Sequence, residues 1–121
     1  MQNYKNLAVY KEAEILILGI YDITKKFPQE EVYSMTQQMR RAALSIGANI
    51  AEGTGRKSDA DFLRFLYNAM GSLKELGHFF NIANKLQYVT QEEYATFMEQ
   101  IEKLGNMLGN LIKSIKLASS F

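Results

Sequence analysis

Four consecutive segments of this chain repeat apolar side chains at alternating three- and four-residue steps, the spacing that paints one stripe along a helix of period 3.6. The first stripe is Val9, Ala13, Leu16, Ile20, Ile23 and Phe27, closed by Pro28, the single proline of the chain. The second, over residues 36–53, is Met39, Ala43, Ile46 and Ile50, surrounded by Ala42, Gly47, Ala48 and Ala51, small residues that let neighbouring backbones approach. Gly53 and Gly55 then supply the permissive positions that commonly stop a helix. Ser58 with Asp61 three residues on predicts the start of a third helix reaching Leu86, with Phe62, Leu66, Ala69, Leu73, Leu76, Phe80 and Ala83 on its main stripe. Phe65, Phe79, Ile82 and Leu86 give that helix a second apolar face, which must be covered too. Thr90-Gln91-Glu92-Glu93 reads as a capping box opening a fourth, lined by Tyr94, Phe97, Ile101, Leu104, Leu108, Leu111 and Ile115.

Helices joined by short turns pack most easily as antiparallel neighbours, so the expected fold is all-α, an up-down-up-down four-helix bundle. A length of 121 residues leaves room for one core, and the expected domain is 1–121. With 47% hydrophobic and 22% charged residues the chain has the balance of a globular domain. The longest apolar run, residues 15–20, is far short of a bilayer span. Lys5, Lys11, Glu12 and Glu14 interrupt the N-terminal region where a secretory signal would need an apolar core, so the expected location is the cytoplasm.

Chemistry is sparse. The absence of cysteine excludes disulfides, thiolate metal sites and a cysteine nucleophile. Glu75 and the sole histidine, His78, stand at i and i+3 as in half of a bundle di-metal site, but no second histidine completes it, so no metal, cofactor or catalytic residue is expected. Residues 52–57 resemble a phosphate-binding loop in composition only, not in spacing.

Charge placement says more than the net charge of +1. Arg40, Arg41, Arg56, Lys57, Arg64 and Lys74 face only Glu52, Asp59 and Asp61 across the same stretch, a candidate phosphate-binding face for RNA or DNA. Arg41, Ser45, Asn49 and Glu52 also share one side of the second helix, a polar seam able to bond within the bundle or across a subunit contact, with Glu75 as a candidate partner. For Arg40, Arg56, Lys57 and Arg64, plain solvent exposure and nucleic-acid contact both fit. Apolar surface beyond one stripe per helix, including Leu7, Ile17, Leu18 and Tyr21 on the first, is most economically covered by a homo-oligomer.

The strings Gln38-Met39-Arg40-Arg41-Ala42-Ala43-Leu44-Ser45-Ile46 and Asn49-Ile50-Ala51-Glu52-Gly53, followed by Phe62-Leu63-Arg64-Phe65-Leu66 and Gly71-Ser72-Leu73-Lys74-Glu75, resemble the bacterial family encoded in intervening sequences of 23S ribosomal RNA genes. Accessory proteins of diversity-generating retroelements look like distant members. The resemblance extends from Tyr4 to Ser114. It implies a four-helix protomer in a ring-shaped homopentamer with a central channel, and nucleic-acid partners. The family name describes a gene location and does not in itself imply ribosome binding. Where relatives often carry proline in the Ser-Ile-x-x-Asn-Ile segment this chain has Gly47, which leaves the course of the second helix open. Two functions follow as expectations: a non-enzymatic, oligomeric nucleic-acid-binding accessory protein, or a protein-interaction scaffold whose apolar grooves hold a partner.

Overall fold

The computed structural model describes residues 3–119, so the outermost positions of the expected 1–121 domain lie outside the described residues. They form α1 (Ala8–Thr24), α2 (Met35–Thr54), α3 (Asp59–Lys85) and α4 (Gln91–Ser119), with single 3-10 turns at Tyr4–Asn6 and Gln29–Glu31. Each helix packs on its neighbours in sequence and α4 returns to α1, while the diagonal pairs stay apart. This is the expected four-helix bundle. The α2–α3 contact is the most extensive and the α1–α4 contact the sparsest.

The helix ends follow from local chemistry. Ser58 Oγ accepts the Asp61 amide at 3.1 Å, and Thr90 and Glu93 exchange side-chain and backbone bonds at 2.8 and 3.1 Å as a complete capping box. α2 has no side-chain cap from Ser34; Glu31 Oε1 accepts the Met35 amide instead, at 3.3 Å. α3 ends in a Schellman turn, with the Tyr88 amide on the Ala83 carbonyl and the Gln87 amide on that of Asn84. Gln87 occupies its left-handed position at φ 62°, where glycine is usual. α1 stops at Thr24 rather than Phe27, and Phe27 folds back as a buried residue beyond its end. α2 runs unbroken through Gly47, whose missing Cβ would lie 3.0 Å from Ile17 Cδ1.

All the expected main stripes of α1, α2 and α3 are buried except Phe62, which is half-buried. Leu16, Ile20, Ile46, Ile50, Leu66, Leu76 and Phe80 are fully enclosed, each stabilising the fold by about 1.5–3 kcal/mol. On α4 the stripe turns by one residue near its end: Ile112 is buried and Leu111 half-buried. The second face of α3 is covered only in part within the protomer, with Phe65 buried, Phe79 and Ile82 half-buried and Leu86 exposed. Leu7, just before α1, and Ile17 on it pack against the core and Tyr21 is half-buried, which leaves Ile15 and Leu18 as the exposed large apolar residues of that helix. No described helix is long and apolar enough to cross a membrane.

Candidate functional site

The structure divides the six expected cations among different surroundings. Arg40 is committed to α1: its Nε donates to Thr24 Oγ1 at 2.9 Å, its Nη2 to the Tyr21 carbonyl at 3.3 Å, and its guanidinium lies 4.7 Å from the Tyr21 ring centroid. Arg41, one residue on, is exposed on the outer side of α2. Arg56, Lys57 and Arg64 come together at the opposite end of that helix, around the short α2–α3 turn. Lys74 lies ten residues further along α3, about 15 Å from Arg64 at helical rise.

The α2–α3 corner is organised by Phe65. The guanidiniums of Arg56 and Arg64 each sit 4.5 Å from its ring centroid, one reaching from the end of α2 and the other from the preceding residue of α3. Both lie against a side chain that is only 7% exposed. Each is also near a carboxylate, Arg56 to Glu52 at 3.8 Å and Arg64 to Asp61 at 3.7 Å. Such exposed pairs are worth little, so a phosphate can exchange for either carboxylate at small cost. The ring contact restrains each guanidinium, and both side chains remain exposed, an arrangement suited to bidentate phosphate contact or to stacking on a base. Further along, Lys116 of α4 lies 5.4 Å from the ring of the half-exposed Tyr67. The sequence points to neither Phe65 as a platform nor Lys116: the first reads as core, and the second lies outside the basic stretch.

Of the expected polar seam only Asn49 and Ser45 are joined by hydrogen bonds, while Arg41, Glu52 and Glu75 take no part in them. Asn49 Nδ2 donates to the Ser45 carbonyl at 2.8 Å and to Ser45 Oγ at 3.1 Å, and Ser45 Oγ shares a 2.8 Å bond with Ser72 Oγ. Thus Ser72, not Glu75, ties the seam to α3. Glu75 lines a shallow polar depression beside Ser45, Asn49 and Ser72. Glu52 faces Arg56, and Arg41 forms no ion pair with Glu75.

His78 lies beside a third feature, an apolar groove of about 460 Å³ between α3 and α4. Among the described residues no three His, Cys, Asp or Glu side chains cluster where they would hold a metal ion.

Comparison with known proteins gives one family and one fold. The family model described as 23S rRNA-intervening sequence protein matches residues 5–110. Among solved structures, the chain resembles a protein of unknown function from the S23 ribosomal protein family of Bacteroides thetaiotaomicron, with a TM-score of 0.82 and 25% sequence identity over 88% of this chain and 99% of that one. No curated protein matches.

Proposed function

Since the chain belongs to the 23S rRNA-intervening sequence protein family, we propose that it is a non-catalytic, homo-oligomeric accessory protein of the cytoplasm that binds RNA or DNA through the α2–α3 corner. The observation that carries this reading is the pair of guanidiniums fixed on Phe65 with Lys57 exposed beside them. Side-chain entropy that a free arginine loses on binding is already partly lost here, so each phosphate contact is less costly to form. Repetition around a closed oligomer multiplies the effect, because a second corner on the same strand binds at high effective concentration. The ring of five subunits that the resemblance implies belongs to this proposal.

Electrophoretic titration of ribosomal RNA fragments and duplex DNA across a salt series tests it. Binding is expected to weaken with salt, and replacing Arg56, Lys57 and Arg64 together by alanine makes the log–log slope shallower by about one for each phosphate no longer neutralised. No retardation at low salt, or full affinity in the triple variant, overturns the corner as a nucleic-acid site.

A further inference from the structure

The groove between α3 and α4 is lined by Met70, Leu73, Met98 and Ile101 together with Gly77 and Gly105. Neither glycine is demanded by packing within the protomer. A Cβ at Gly77 would meet nothing nearer than Ile101 at 3.9 Å, and one at Gly105 nothing nearer than Leu73 at 3.6 Å, both ordinary contacts. Glycine weakens a helix interior relative to alanine, so two glycines that line one groove and have internal room for a methyl leave space there for something outside the protomer. The methionines give it walls that adapt to an inserted side chain. Lys74, exposed and without an ion pair among the described residues, stands with His78 at its edge.

The chain itself carries a matching surface. Ile15 and Leu18 on α1 are 55% and 64% exposed, the one place on the described helices where two large apolar side chains stand open within a single turn. Glu14 and Asp22, both exposed and outside any ion pair among the described residues, flank them on the same helix. An acid–apolar–apolar–acid stripe is the complement of an apolar groove edged by a lysine and a histidine.

We infer that the α3–α4 groove receives the Ile15–Leu18 stripe of α1 from a second copy of this chain. The two surfaces lie on different parts of the protomer, so the contact is heterologous: each copy offers its stripe to one neighbour and its groove to another, and the assembly closes as a ring if the rotation closes. This rests on the assembly half of the proposed function and is independent of nucleic-acid binding.

The test is complementation, read by light scattering after size exclusion. Leu18→Glu spoils the stripe and leaves the groove; Gly105→Leu fills the groove and leaves the stripe. Each alone is expected to be monomeric with wild-type helical circular dichroism, whereas their mixture yields a one-to-one dimer and nothing larger, because only one competent junction remains. Lys74→Glu, a surface change that spares the packing, supplies a second groove variant should Gly105→Leu misfold, with the same expected dimer on mixing with Leu18→Glu. A monomeric wild-type chain overturns the assembly reading and this inference together. A wild-type oligomer left intact by Leu18→Glu, or by both groove variants, overturns this inference alone.

Discussion

Gly53 of α2 faces Phe62 of α3 so closely that a Cβ on the glycine would lie 2.8 Å from Phe62 Cδ1 and 3.1 Å from Phe65 Cβ. The first contact is closer than side-chain carbons approach, and the second involves an atom fixed to the α3 backbone. Gly53→Ala therefore gains about 1 kcal/mol of helix propensity but overpacks the α2–α3 corner by about 1–3 kcal/mol. The clash wins, and a net loss of about 1 kcal/mol is expected in urea unfolding. Gly71→Ala should do the opposite, since no heavy atom lies within 4 Å of its Cβ position. Stabilisation by both substitutions contradicts the close approach at Gly53.

A second relationship ties stability to pH. Tyr88 Oη donates to Glu31 Oε2 at 2.7 Å, and that bond, with the Met35 amide, holds the Glu31 carboxyl below its ordinary range. The same bond to Glu31 raises the Tyr88 phenol. Glu31 thus stabilises the fold fully above its unfolded pKa of about 4.3 and loses that contribution as the pH falls through its lower folded value. Tyr88 contributes fully below about pH 10 and loses its share as the pH rises through its raised folded value. Tyr88→Phe should bring the Glu31 carboxyl back toward its usual titration in a carbon-detected NMR series, and flatten the acid limb of the stability curve. An unchanged Glu31 titration rules out the bond in solution.

Most of the fold is legible in the sequence because burial imposes its period on every helix, and because Ser58 and the Thr90–Glu93 pair satisfy helix amides within three residues. Partners far apart in the chain leave no such mark. Arg40 meets Thr24 across two helices, and nothing in the run Arg40-Arg41 distinguishes the arginine held by α1 from its exposed neighbour. Leu111 and Ile112 are adjacent and both strongly apolar, so the sequence leaves the stripe on α4 ambiguous by one residue there. At the candidate corner the three cations are visible as a cluster, but Phe65 reads as another core aromatic. Its second role emerges only when Arg56 arrives from the preceding helix.

Thr36 is buried at 6% exposure, and its hydroxyl has no hydrogen-bond partner in the structure. A stranded hydroxyl costs about 1–3 kcal/mol relative to one that is paired or solvated. Thr36→Val keeps the branched shape and removes the orphan, so the midpoint of thermal unfolding should rise. A fall would mean that the hydroxyl is satisfied in solution by a bound water.

Arg40 separates folding from binding within the basic stretch. Its guanidinium makes two hydrogen bonds to α1, and the Thr24 hydroxyl that accepts one of them donates in turn to the Ile20 carbonyl at 2.7 Å. Removing it breaks a chain of bonds between α1 and α2 and leaves Thr24, 3% exposed, with one fewer partner. Arg40→Ala is expected to lower stability by about 1–2 kcal/mol. Lysine cannot restore it fully, because one ammonium does not reproduce the planar fork that reaches Thr24 and Tyr21 together. Its affinity for nucleic acid, measured where the variant is fully folded, should equal that of the wild type. Lys57→Ala should show the reverse, a loss of affinity with an unchanged unfolding midpoint, because Lys57 is exposed and makes no ion pair among the described residues. If Arg40→Ala weakens binding as much as Lys57→Ala while the protein remains folded, the binding face extends along α2 and is not confined to the α2–α3 corner.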